Sequence, residues 1–226
     1  MGPRQSRRVP LSDLGPIEQL KAGRLPWRLA QLLVGLYLYG ASLALMVRGR
    51  LGLAPWDVLH SGFIRHVPIT LGQAVILFSF VALAFWLPLG EVPGLATILN
   101  ALIVGSSADL TLAILGSPAS WIGRLGLMLG GVLLCALATA MYIGAQLGRG
   151  PRDGLMTGLV RRTGRSIRLV RTGLEVFVVL VGLLLGGKAG LGTVVFALSI
   201  GPLTQLLLPR FVVDLGRPVP DHPVPS

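Results

Sequence analysis

Two acidic residues stand in the same short pattern at two places in the chain. Asp57 lies in Leu51-Gly52-Leu53-Ala54-Pro55-Trp56-Asp57-Val58-Leu59, and Asp153 lies in Leu147-Gly148-Arg149-Gly150-Pro151-Arg152-Asp153-Gly154-Leu155. Pro55 and Pro151 suit the first position of a helix, which puts each carboxylate in the first turn, where the positive helix end attracts it. This arrangement serves as a plain cap. It serves equally as a short helix that dips into a membrane and lines a passage. Glu175 sits inside an apolar run one turn beyond Arg171, either as an ion pair near an interface or as an intramembrane carboxylate with a functional role. Asp109 and Asn100 share another apolar run, where polar side chains either join neighbouring helices or converge on a cavity. His60, His66 and His222 have no metal-ligand spacing, and Cys135 is the single cysteine. No serine, cysteine or histidine arrangement suggests a nucleophile. The glycine-rich stretch 186–193 lacks the strand a nucleotide loop requires. Neither enzyme chemistry nor a metal or cofactor is expected.

The elements that must position these residues belong to a membrane. Of 226 residues 53% are hydrophobic and 13% charged, and the mean hydropathy is +0.75, outside the range of an ordinary water-soluble domain. The net charge of +11 could suggest nucleic acid, but the basic residues stand between apolar runs and mark topology instead. Six segments have the length of a bilayer helix: 29–47, 71–89, 95–115, 125–147, 169–185 and 191–208. With the amino terminus inside, 15 of the 20 Lys and Arg residues fall on the inner side, so both termini are expected in the cytoplasm. Residues 1–28 read as a basic flexible tail and 209–226 as a proline-rich one, flanking a membrane domain over 29–208. The first apolar run is read as a span and not a cleavable signal, because it has a counterpart in the second half.

Sliding the chain against itself by 96 positions superimposes the two LGxxPxDxL segments without a gap. At the same offset Gly62 meets Gly158, Arg65 meets Arg161, Gly90 meets Gly186, Gly94 meets Gly190 and Thr97 meets Thr193. The matches are mostly glycines, prolines and polar residues of loops, which two unrelated hydrophobic stretches would not share. Three spans per copy is an odd number, so the second copy enters the bilayer from the opposite side. The expected fold is an all-α polytopic protein of about six spans in two inverted three-helix repeats (29–116 and 121–208), each with a short helix in its LGxxPxDxL loop. The first such loop is poor in arginine and the second rich in it, as outer and inner loops should be. Arg161, Arg162, Arg165 and Arg168 in the inner loop are candidates for docking a partner protein or contacting anionic lipid.

The segments LGLAPWDVL, LGRGPRDGL, RRTGRSIRLVRTGLEV and GGKAGLGTVVFALSIGP resemble the YczE-like branch of the bacterial YczE/YyaS/YitT membrane-protein family, from about Arg28 to Pro209. The first copy departs by carrying Trp56 and lacking the arginine cluster. The resemblance implies a protein of the bacterial inner membrane and supplies no substrate. The expected function is that of a small-solute transporter with a passage between the repeats, through Asp57, Asp153, Glu175, Asp109, Asn100, Pro55 and Pro151. The alternative is a non-transporting membrane protein that supports a biosynthetic or transport complex. A polar cavity reaching Asp57 and Glu175 would favour the first, and a dry, packed interface the second.

Overall fold

The computed structural model describes residues 15–215, and every structural statement here concerns them. They form helices α1 (Pro16–Lys21), α2 (Leu25–Gly49), α3 (Pro55–Phe63), α4 (Leu71–Leu89), α5 (Leu95–Ile114), α6 (Trp121–Gly144), α7 (Pro151–Thr163), α8 (Ile167–Leu184) and α9 (Leu191–Phe211), with no strand among the described residues. Helices α2, α4, α5, α6 and α9 are long and apolar enough to cross a bilayer. The fifth expected span, α8, is a helix of 18 residues whose first half carries Arg168, Arg171 and Glu175, and these three charges set it apart from the other five. Large apolar side chains such as Leu87, Ile114, Leu184 and Leu198 point outward on these helices, which is unfavourable in water and ordinary against lipid. The molecule is an integral membrane protein.

Local signals explain where the helices begin and end. Helix α4 starts in a capping box: the Thr70 hydroxyl accepts from the Gln73 backbone N–H at 3.1 Å, and the Gln73 side chain accepts from the Thr70 N–H at 3.0 Å. It stops at Gly90, which takes the left-handed conformation (φ 67°). Helix α6 begins four residues before the expected start at Leu125, because Ser120 caps it by accepting from the Gly123 N–H at 3.1 Å. It also ends three residues before the expected Leu147, where Gln146 (φ 54°) and Gly148 (φ 124°) turn the chain.

The sequence offset reappears in the packing. Helix α2 lies against α6, α2 against α5 and α6 against α9, while α3 packs on α8 and α7 packs on α4. Each short helix thus covers a long helix from the other half of the chain. Individual bonds correspond in the same way. The Ala96 N–H donates to the Leu147 carbonyl at 2.9 Å, and the Gly192 N–H donates to the Leu51 carbonyl at 2.8 Å. Arg65 donates to the Gly186 carbonyl at 2.8 Å, and Arg161 to the Gly90 carbonyl at 3.4 Å. Gly52 and Gly148, at φ 122° and 124°, sit against the backbones of Gly190 and Gly94, where a Cβ would come within 2.8 and 3.1 Å. Both the positive φ and the close approach require glycine.

The ends of the described chain are folded. Arg28 is fully buried and donates to the carbonyls of Ala145 (2.8 Å), Gln146 (2.6 Å) and Gln19 (2.7 Å), which ties α1 and the start of α2 to the end of α6. Residues 15–28 are therefore not the flexible tail expected from charge and proline content. Buried arginine is satisfied here by carbonyls that have no helical partner. Past Pro209, α9 continues to Phe211 and the Val213 N–H donates to the Gly144 carbonyl at 3.0 Å. Residues 1–14 and 216–226, also read as tails, lie outside the described residues.

Candidate functional site

A cavity of about 570 Å³ lies where α7, α8 and α9 meet the start of α3, the centre of α2 and the end of α6. Asp153, Glu175 and Pro55 line it, with Arg149, Arg152 and Arg171. Its apolar wall includes Leu174, Phe196, Ile200 and Leu208, and Trp56 adds an indole. This volume lies within the range of small-molecule sites. The cavity exists because α8 and α9 stand apart. The corresponding helices of the first half, α4 and α5, pack along each other so closely that a Cβ on Gly105 would lie 2.3 Å from the Gly72 carbonyl oxygen. At Gly201, which matches Gly105 at the offset, the nearest atom to such a Cβ is an Arg171 guanidinium nitrogen at 3.8 Å.

The charges of the cavity differ in how they are engaged. Arg171 donates to Glu175 at 2.9 Å across one helical turn, the pairing expected from their spacing. Arg149 donates to the Thr157 hydroxyl at 3.2 Å and lies 4.0 Å from Glu91, which itself pairs with Arg161 at 2.9 Å. The Asp153 carboxylate accepts from the Tyr142 hydroxyl. Asp153 lies outside the membrane-length helices; burial raises its carboxyl above the usual range, while the Tyr142 hydrogen bond and the Arg152 and Arg171 guanidinium groups pull the other way. The Arg152 guanidinium stands over the Trp56 ring, 5.1 Å from its centroid. Arg152 and Trp56 are themselves matched at the 96-residue offset, so the contact joins equivalent points of the two halves.

The other expected site residues are distributed elsewhere. Asn100 and Pro151 border a separate small void of about 40 Å³, shared with Ser79, Tyr39, Tyr142 and Asp153. Asp57 is buried away from the large cavity and lies 2.9 Å from His60 Nδ1. His60 is completely buried, its Nε2 has no hydrogen-bond partner, and its ring packs 5.3 Å from that of Phe78. Burial holds this imidazole below its ordinary range against the pull of Asp57. Asp109 reaches across from α5 to the start of α4, accepting from the Gly72 N–H at 2.8 Å and from the Thr70 hydroxyl. It acts as a cap supplied by a neighbouring helix. Gln205, the match of Asp109, lines the large cavity instead.

Of the four arginines considered for docking or lipid contact, Arg161 and Arg162 bind the end of α4, Arg162 donating to the Pro88 carbonyl at 2.6 Å. Arg165 and Arg168 are exposed. Sequence reasoning did not single out Arg152, Trp56, Tyr142 or His60 as a constellation. The Asp57–His60 spacing of one helical turn was a legible signal, and so was the Trp56–Arg152 match.

Residues 26–209 match the model of a family of unknown function, DUF6198. The chain belongs to this family. Among similar proteins, an uncharacterized protein of Haemophilus influenzae is 41% identical over 177 residues, covering 78% of this chain and 81% of its own. The uncharacterized membrane protein YczE of Bacillus subtilis is 29% identical over 187 residues, covering 82% and 87%. The protein YyaS of the same organism is 24% identical over 180 residues, covering 78% and 90%. The YczE-like membership expected from the LGxxPxDxL segments agrees with these matches. No solved structure matches the chain.

Proposed function

We propose that this DUF6198 protein moves a small solute across the bacterial inner membrane, through a passage between two inverted repeats of three spans each. The observation that carries the reading is the cavity between α7, α8 and α9, which holds Asp153, Glu175 and three arginines beside an apolar wall and reaches the contact of Trp56 with Arg152. A support protein without transport activity would favour a dry, packed meeting of the halves. The cavity counts against that alternative, although it stops short of Asp57.

Several further observations support the arrangement. The exchanged packing of α3 on α8 and α7 on α4 is what a twofold axis in the membrane plane produces. Helix α8, at about 27 Å for 18 residues, is long enough to serve as the sixth span with its charged end at the interface. Helices α3 and α7 are then short re-entrant elements, each packed against a long helix of the other half. The 15-to-5 division of basic residues supports cytoplasmic termini and a cavity mouth on the cytoplasmic side. The open seam of the second half and the closed seam of the first then represent one of two alternating states.

Single cysteines at Ser61 and Thr157 test the topology, since the native Cys135 is buried and contributes little background. They should label from opposite faces of the membrane, and labelling from one face would remove the inverted repeat. Metabolite comparison of a deletion strain with its parent supplies the solute for uptake into proteoliposomes. Glu175→Gln should then lower uptake at unchanged folded yield, because it removes the carboxylate that balances Arg171 inside the cavity. Wild-type uptake by that variant would reduce Glu175 to a structural partner and count against the passage.

A further inference from the structure

The other ionic groups in the cavity have partners, and one cation does not. Glu175 is held by Arg171, Asp153 by the Tyr142 hydroxyl, and Arg149 by Thr157. Arg152 has its guanidinium over the Trp56 indole and makes no hydrogen bond or salt bridge with any described residue. A guanidinium has five N–H donors in a rigid fork that fits a carboxylate in two parallel bonds. A guanidinium held over an indole face by a cation–π contact keeps its N–H donors available. Glu175 and Asp153 are each already engaged by a donor of the protein, whereas an anion would meet a donor set on Arg152 that no described residue uses.

We propose that the cavity binds a small amphipathic organic acid whose carboxylate pairs with the donor edge of Arg152 and whose apolar part lies along Leu174, Phe196 and Ile200. This deepens the transport reading by assigning its substrate class. The volume of about 570 Å³ sets the size of the ligand to that of an ordinary metabolite, and the apolar residues that line the cavity together with the guanidinium set its amphipathic character. The contact between Arg152 and its sequence match Trp56 puts the carboxylate where the two halves meet.

The test uses the full-length protein purified in detergent, with hexanoate and benzoate as probes against hexanamide, benzamide and hexylamine. Binding is read by calorimetry and by the rise in thermal midpoint with ligand concentration. The carboxylates should bind at least about tenfold more tightly than their neutral amides and the amine. Arg152→Gln should remove that preference, and Arg152→Lys should retain part of it, because an ammonium keeps the charge and loses the fork. Equal affinity for acid and amide in the wild-type protein overturns the proposal without recourse to any variant, as does an absence of carboxylate binding. An unchanged preference in folded Arg152→Gln overturns it too. Uptake of radiolabelled hexanoate into proteoliposomes separates the two readings. Carboxylate binding without uptake leaves the anion site standing and removes transport, while uptake of uncharged solutes without carboxylate preference does the reverse.

Discussion

The seam between α4 and α5 and the seam between α8 and α9 are built from matched positions, yet one is closed and the other open. In the first, Gly72 and Gly105 bring two backbones together and Asp109 fastens the start of α4. In the second, Arg168 stands where Gly72 would be, Gln205 replaces Asp109, and Gly201 faces only the end of the Arg171 side chain. A small residue permits close approach only when its opposite position is small too. The difference teaches that a repeat conserves geometry at its anchors and uses the remaining positions to make two unlike surfaces.

The sharpest way to break this comparison is to add the same methyl group to both seams. Gly105→Ala places a Cβ against the Gly72 carbonyl and should cost about 1–3 kcal/mol, toward the upper end because backbone cannot yield as a side chain does. Gly201→Ala should be neutral or slightly stabilising, within about 0.5–1 kcal/mol, because the space is open and alanine favours helix. Equal falls in thermal midpoint would mean that the seams are alike. Next in size, Asp109→Ala removes two hydrogen bonds to a charged acceptor and should cost about 2 kcal/mol. Gln205→Ala should leave stability within about 0.5 kcal/mol and alter solute binding instead.

The paired aspartates give a smaller effect and a finer distinction. Asp57→Asn keeps an acceptor for His60 and should change stability by about 1 kcal/mol or less, with no effect on solute binding because Asp57 is outside the cavity. Asp153→Asn should affect stability as little while changing binding, measured by titration in parallel. Binding changed equally by both substitutions would extend the site across both loops. The smallest effect belongs to Arg165→Gln with Arg168→Gln, both exposed. Stability should stay within about 0.5 kcal/mol, and affinity for vesicles containing anionic lipid should fall by about 1 kcal/mol per arginine.

Much of the architecture was legible because its signals are local. Helix α4 runs over the expected residues since Thr70, Gln73 and Gly90 mark both ends, whereas α6 shifted because apolarity alone does not register a serine cap or a left-handed Gln146. The Arg171–Glu175 pair was legible from helical spacing. Asp57 and Asp109 were legible as polar residues in apolar surroundings, but their partners His60, Thr70 and Gly72 depend on which face of each helix turns inward. Arg152 passed as one member of an arginine-rich loop. What distinguishes it from Arg161 is three-dimensional: Arg161 finds carbonyls and Glu91, and Arg152 finds an indole and an open space.

The packing of α3 on α8 and of α7 on α4 also sets the order in which the protein can be completed. A chain emerging from its amino terminus delivers α2, α3 and α4 long before residue 167, so the lid over α3 arrives only when the final third is being made. Until then the carbonyls of Ala145 and Gln146 that receive Arg28 are missing for most of that interval, and the buried Asp57–His60 pair has an uncovered wall. A nascent chain cut off after α6 is an unfinished clasp, with two sticky faces and no second half to close them, and its natural fate is association with another such chain or removal by proteolysis.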